Sequence, residues 1–415
     1  MKAIIAGAGP GGLAIGLYLH RIGWDVDICE TVKQLEPLGV GINLLPHGTR
    51  ELFVLGLAFE LETEGIQTRS LEYRSRYGHL IYADPMGHYA GYDFPAYSIH
   101  RGNLQFILRD AFIQRVGPDS LHQNCHFDHF VEDRTGVTAY FIDKDTGAPT
   151  GEFRGDILVG ADGIYSDVRR VLYPDEGPPQ YEGIMMWRGA NEQAPFLDGE
   201  TMVIAGNHDL KTVIFPISMR AAKHGLSLVN WVAEVRFSSP HPLNPGDWTR
   251  PGTRDFIGRF EEFNLDFIDV QRLFADTETI YEYPMIDRDP VDKWSFGRVT
   301  LLGDAAHAMY PVGANGTSQA ILDARALAES LQQYPHPVIA LQHYEKMRLK
   351  PTNEVIRRNR QFYSEKYLDL IDNRMQSPGD KIENLISHAE IEEITQTYRK
   401  LAGFDVETLN EKGML

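Results

Sequence analysis

Three glycines, Gly7, Gly9 and Gly12, follow the short apolar run from Lys2 to Ala6 in the spacing G-x-G-x-x-G, and helical periodicity through Leu13 and Leu17 begins directly behind them. A turn of this kind brings backbone N–H groups up to a pyrophosphate, at a helix end whose dipole favours negative charge. Gly7 makes the turn, Gly9 lets the backbone approach the phosphates, and Gly12 lets helix and strand pack closely. The helix stops at Gly23, a second strand runs from Asp25 to Cys29, and Glu30 at its end can accept a hydrogen bond from a ribose hydroxyl. Strand, glycine turn, helix, strand and acid in that order point to a dinucleotide site.

A second constellation, LLGDAAHAMYPVGANG, occupies residues 301–316. Val299 to Leu302 reads as a strand with Asp304 just past its end. That acid can hold a hydroxyl of an extended sugar chain such as a flavin's ribityl arm, or it can cap the next helix. Pro311 to Gly316 form a turn ahead of the helical stripe Ala320, Ile321, Ala324, Leu327, Ala328 and Leu331. N–H groups from Gly313 to Gly316 would then stabilise the negative charge of a reduced flavin. No second G-x-G-x-x-G follows a strand, so one dinucleotide is bound in a dedicated site, and FAD needs such a distant segment where a nicotinamide cofactor does not.

The elements that would position these groups are coarsely visible. Gly183 to Trp187, Thr201 to Ala205, Thr212 to Phe215 and Leu226 to Val235 read as antiparallel strands. Met185, Trp187, Phe215 and Trp231 on them could line an apolar pocket or fill the core of the sheet. Ser239 to Pro251 reads as a surface loop, and residues 361–415 as helices with periodic Leu368, Ile371, Leu385, Ile386, Ile391 and Ile394.

Composition bounds the rest. A chain of 415 residues is expected to form two or more domains, and 43% hydrophobic residues suffice for their cores. The formal charge of -18 argues against a nucleic-acid or anionic-membrane surface. Only Cys29 and Cys125 are present, which excludes a disulfide scaffold and a four-cysteine zinc site; no metal is expected. No apolar run is long enough to span a bilayer, and the N-terminus runs straight into the glycine motif, so a cytoplasmic protein without a cleaved leader is expected.

GAGPGG with Glu30, GADG from Gly160 to Gly163 and GDAAH from Gly303 to His307 resemble, in order and spacing, the three motifs of the group A FAD-dependent aromatic hydroxylases, the para-hydroxybenzoate hydroxylase class. The blocks LGVGIN from Leu38, YSIHRGNLQ from Tyr97, MWRG from Met186, SLVNWV from Ser227, YPMIDRDP from Tyr283 and MYPVGANG from Met309 are similar to those of a phenazine-hydroxylating subgroup. The resemblance runs from Met1 to about residue 360. It implies an α/β fold: a Rossmann-like FAD-binding domain of the glutathione-reductase type, an inserted antiparallel-sheet substrate domain, and C-terminal helices. The implied boundaries are 1–72, 97–180 and 284–360 for FAD, 73–96 and 181–283 for substrate, and 361–415 for the helical segment.

Carried over by position, the resemblance implies that Gly9, Gly11, Gly12 and Glu30 hold the ADP half of FAD, with Lys33 near the adenosine ribose. Arg101 and Gln105 would reach the pyrophosphate and ribityl region, Asp162 would serve FAD and the visiting nicotinamide cofactor, and Asp304 would bind the ribityl chain. Gly41, Pro311, Gly313, Ala314, Asn315 and Gly316 would line the flavin ring. Asn43, Arg188, Phe215 and Tyr310 are the candidates for substrate contact, whereas His307 is expected to be structural rather than a base. The implied reaction has NADH or NADPH reduce FAD, O2 add as a C4a-hydroperoxide, and its terminal OH pass to an aromatic or heteroaromatic ring, with a carboxylated, phenazine-like substrate expected. The protein would act as a monomer or homodimer. Two other readings are a FAD reductase of unsaturated substrates and a non-catalytic FAD-binding protein. A flavin halogenase is disfavoured because Trp24, Trp187, Trp231, Trp248 and Trp294 form no W-x-W pair.

Overall fold

The computed structural model describes residues 1–37, 39–238, 250–362, 365–402 and 405–411. Leu38 of LGVGIN, Trp248 and nearly all of the expected Ser239 to Pro251 loop lie outside them.

The glycine turn belongs to a six-stranded sheet in the order Ser295–Phe296, Val299–Leu301, Ile157–Gly160, Lys2–Ala6, Asp25–Cys29 and Leu121–His122. Neighbours are parallel except at the edge pair Ser295–Phe296 and Val299–Leu301. Parallel strands are covered on both faces and so read as continuous apolar runs, and Ala3, Ile4, Ile5, Ile157, Leu158 and Val159 are all fully buried. Lys2–Ala6 is flanked by Asp25–Cys29 on one side and Ile157–Gly160 on the other, which makes its carboxyl end a switch point where the sheet opens a crevice. Helix Pro10–Arg21 starts there with Pro10 in its first turn, ends ahead of Gly23 at φ +84°, and packs against helix Gly316–Gln333.

A second sheet of seven strands runs in the order Ile280–Asp287, Gln180–Gln193, Ser227–Arg236, Leu210–Pro216, Thr201–Gly206, Ser70–Arg74 and Leu80–Pro85. Only the pair Thr201–Gly206 and Ser70–Arg74 is parallel. One face carries Trp187, Trp231, Phe256, Phe260 and Phe274 in a closed aromatic core. The other face is partly covered by the C-terminal helices, whose Tyr367, Leu368, Ile371, Ile391 and Ile394 pack with Tyr73, Ile204 and Val213 of the sheet. A three-stranded antiparallel sheet, His126–Glu132, Val137–Ile142 and Pro149–Gly155, was not anticipated from the sequence. Among the described residues no helix is long and apolar enough to cross a membrane.

Candidate active site

At the glycine turn, packing explains two of the three glycines. A Cβ on Gly7, whose φ is +103°, would lie 2.5 Å from the Ala161 carbonyl oxygen, and one on Gly12 would lie 2.0 Å from that of Gly7. Gly9 is different: a Cβ there meets nothing within 4 Å. Its bare backbone opens on a cleft of ≈ 470 Å³ that runs between the two sheets, so the small residue leaves room for something outside the fold. Gly11 and Arg101 border the same end of the cleft.

Behind the turn, Glu30 accepts hydrogen bonds from the Ala8 N–H at 2.7 Å and the Val32 N–H at 3.1 Å, while Gln105 Nε2 donates to the Ala8 carbonyl at 2.8 Å. Glu30 and Gln105 thus brace the turn but do not line the cleft. Lys33 is also outside it, exposed and paired with Asp145 at 2.7 Å. Asp162 accepts from the N–H groups of Asp167 at 2.8 Å and Val168 at 3.1 Å and from the Ser166 hydroxyl, capping helix Asp167–Leu172; burial pushes its carboxyl up to about 6. The GADG carboxylate therefore points into its own helix, and it is the neighbouring Ala161 and Gly163 that border the cleft.

The distant loop meets the turn from the other side. Asp304 opens the short helix Asp304–His307 and is exposed at the cleft wall. Pro311, Gly313, Ala314, Asn315 and Gly316 continue that wall, with Gly313 at φ +71° and Ala314 at φ +52°. A Cβ in the left-handed region costs about 1–2 kcal/mol, so this turn is held by its surroundings. Asn315, fully buried, supplies the hold: its Oδ1 lies 3.1 Å from His47 Nε2 and accepts from Gln319 Nε2 at 3.1 Å. Burial lowers the His47 imidazole to about 3, so it is neutral and donates through Nε2–H. His47 was not anticipated, because a histidine next to Pro46 at a helix start carries no signal in one sequence. His307 is fully buried and bonded through Nε2 to Asp323, which also accepts from the Gly303 N–H at 3.1 Å and Arg348 Nε at 2.7 Å. Burial works to raise the Asp323 carboxyl, but His307 and Arg348 outweigh it and hold the group below the usual carboxylate range. This cluster fixes the GDAAH turn and leaves His307 no access to the cleft.

The sheet forms the remaining wall, and its register assigns each residue a face. Arg188 is opposite Val232 and Tyr281, Val232 opposite Val213, and Val213 opposite Ile204, in one row facing the cleft. The next row places Met186 opposite Glu234, and Glu234 opposite Lys211. Met185, Trp187 and Trp231 point the other way because successive strand residues alternate, and Trp187 stacks on Phe256 at 4.7 Å within the aromatic core. Of the four residues considered for an apolar pocket, only Phe215 faces the cleft. Asn43 accepts from the Ser98 hydroxyl at 2.6 Å, and Arg188 donates from one terminal nitrogen to the Gly41 carbonyl at 2.5 Å. Among the described residues the Arg188 Nε and the Tyr310 hydroxyl, both buried in this wall, have no hydrogen-bond partners. Among the described residues Arg188 has no ion pair. Two unpartnered donors and an open glycine backbone beside an exposed carboxylate make a cleft suited to a long polar cofactor with an anionic aromatic molecule against it.

Comparison with known proteins agrees with that geometry. The family model described as "FAD binding domain" matches residues 1–242 and 262–359. The chain is 42% identical over 361 residues to a phenazine 1,6-dicarboxylic acid hydroxylase of Lysobacter antibioticus, covering 86% of this chain and 88% of that protein. It is 33% identical over 369 residues to a 3-amino-4-hydroxybenzoate 2-monooxygenase of Streptomyces platensis, covering 87% of each. Among solved structures, a single-substitution variant of HpxO of Klebsiella pneumoniae complexed with FAD superposes with a TM-score of 0.73 at 25% identity, over 99% of this chain and 97% of the other.

Proposed function

The chain belongs to the FAD-binding-domain family and is a FAD-dependent aromatic hydroxylase, and from that premise we propose that its substrate is a carboxylated heteroaromatic of phenazine type. The observation that carries the substrate reading is Arg188: a cation without an ion pair among the described residues, its Nε buried and unsatisfied in the cleft wall. A planar guanidinium in that condition favours a carboxylate. The relative from Lysobacter antibioticus is named for a phenazine dicarboxylic acid, which agrees with this choice.

The residues present fit FAD. Gly9 and Gly11 would receive the pyrophosphate, with Gly12 allowing the close packing that puts the helix end there, Glu30 and Gln105 bracing the turn, and Arg101 pairing with a phosphate oxygen. Asp304 would accept from a ribityl hydroxyl, and Gly41 with the Pro311, Gly313, Ala314, Asn315 and Gly316 wall would border the ring. When bound, FAD would supply the two-electron chemistry that couples oxidation of NADH or NADPH and reduction of O2 to hydroxylation of the ring, with water as the second product. The protein's own part is to orient the substrate through Arg188 and Asn43, to donate from the Tyr310 hydroxyl, and to shed water with Phe215, Val213 and Val232. The division into FAD segments 1–72, 97–180 and 284–360 and substrate segments 73–96 and 181–283, a cytoplasmic location and a monomeric or homodimeric state complete the reading.

Asp304→Ala tests the cofactor assignment: the variant is expected to purify with little FAD, and full retention would contradict it. Phenazine-1-carboxylate is expected to perturb the flavin absorbance of the wild type and to do so far more weakly in Arg188→Met. Equal perturbation in both would remove Arg188 from the site.

A further inference from the structure

Directly beyond the Arg188 row, the cleft wall carries a buried three-residue charge cluster that the assigned chemistry does not use. Lys211 Nζ lies 2.6 Å from Glu365 Oε2 and 3.0 Å from Glu234 Oε2, and all three side chains are at most 5% exposed. Lys211 and Glu234 come from adjacent strands of the sheet, and Glu365 comes from the start of the C-terminal cover. One ammonium between two carboxylates leaves a net negative charge or a retained proton in a dry site, which a purely structural ion pair would avoid. Burial opposes charge on Glu234 and raises its pKa, as does Glu365, while Lys211 only partly offsets them. The ammonium is engaged on both sides. Glu234 borders the cleft, and of the several lone-pair sites of its carboxylate the ammonium beside Oε2 takes one.

We infer that Glu234 is a second substrate-recognition group, which accepts a hydrogen bond from a hydroxyl, amino or protonated ring-nitrogen donor on the part of the aromatic substrate remote from its Arg188-bound carboxylate. The register puts the two groups on one face: Arg188 faces Val232, which lies two residues, or about 7 Å, along its strand from Glu234. Among the described residues, the chamber thus has a cation without an ion pair at the Gly41 end and two carboxylates sharing one ammonium at the Lys211 end. Among the described residues the other charge pair bordering it, Arg399 with Asp84, is self-neutralised. A second carboxylate placed at the Glu234 end would meet like charge or a poor donor set, so a monocarboxylate bearing a donor fits better than a dicarboxylate. The inference rests on the proposed reading of Arg188.

The test uses the FAD-bound full-length enzyme and follows flavin absorbance on titration with phenazine-1-carboxylate, its 6-hydroxy and 6-amino derivatives, and phenazine-1,6-dicarboxylate. A hydrogen bond to a carboxylate predicts that the donor-bearing acids bind about tenfold or more tightly than phenazine-1-carboxylate. Glu234→Leu, which leaves Lys211 paired with Glu365, is expected to abolish that advantage. Glu234→Gln keeps an acceptor oxygen and is expected to retain part of it, and FAD content reports whether either variant is folded. An unchanged preference in both variants, or a wild type that binds the dicarboxylate most tightly, would overturn the inference while leaving the hydroxylase reading intact. If no ring acid perturbs the flavin at all, the Arg188 reading falls and this inference falls with it.

Discussion

Gly9 and His47 show how differently two residues of one site depend on the fold. Because a Cβ on Gly9 meets no protein atom and its φ of -70° suits any residue, Gly9→Ala is expected to change apoprotein stability by no more than about 0.5 kcal/mol. The same methyl group would stand between the backbone and a phosphate, so FAD affinity should fall by about tenfold or more, readable by fluorescence titration of the apoprotein. Equal losses in stability and affinity would contradict the account. His47 acts through the fold. Its pKa is lowered from 6.5 to about 3, so the unfolded chain binds a proton that the folded protein refuses between those values. Its contribution is therefore complete above pH 6.5 and is lost as pH falls towards 3. His47→Gln, which can still donate to Asn315, should flatten the acid limb of a denaturation series across that window. Legibility at this scale was uneven. Gly7, Gly9 and Gly12 could be read because backbone chemistry fixes their spacing, Asp304 stood between a sugar contact and a helix cap until the resemblance was added, and His47, Lys211 and Glu365 owe their roles to partners distant in sequence.

Period-two alternation lets the central strands of the seven-stranded sheet serve the cleft and the aromatic core at once. Met186, Arg188, Val232 and Glu234 face the cleft while Met185, Trp187 and Trp231 face the aromatic core, so a one-residue slip would exchange the two sets. The strands themselves were legible as alternating runs, but which parity faced the cleft was not, since both sets contain apolar residues. A cavity-forming change on the far face should cost stability alone: Trp231→Ala is expected to lose about 3–5 kcal/mol in a denaturant melt. Substrate-induced flavin perturbation, measured on the fraction that remains folded, should stay within about twofold of wild type. A specific loss of binding with little loss of stability would place Trp231 in the chamber after all. Strands of the parallel sheet were legible where burial on both faces leaves a continuous apolar run such as Lys2–Ala6, whereas Ile157–Gly160 went unread. The sheet spanning 126–155 escaped notice because its outer strands, His126–Glu132 and Pro149–Gly155, bury only one residue each and so carry little hydrophobic pattern.

At the scale of the whole molecule, strands of the six-stranded sheet are scattered along the chain because the seven-stranded sheet interrupts them, and folding closes Gly9, Asp304 and Arg188 around one cleft. FAD binding only to the folded protein must stabilise it, by about 2.7 kcal/mol at a free concentration one hundred times Kd. Thermal melts with and without added FAD should show a concentration-dependent rise in Tm, and an unchanged Tm would mean that the cleft does not take FAD. The central claim is that the cleft couples reduced flavin and O2 to hydroxylation of an aromatic ring. It is tested most directly by turnover of a phenazine carboxylate with NAD(P)H under isotopically heavy dioxygen, followed by mass spectrometry of the product. The account predicts NAD(P)H oxidation stimulated by the ring acid and one heavy oxygen atom per product molecule. A product reduced at a double bond, or one whose new oxygen comes from water, would contradict it.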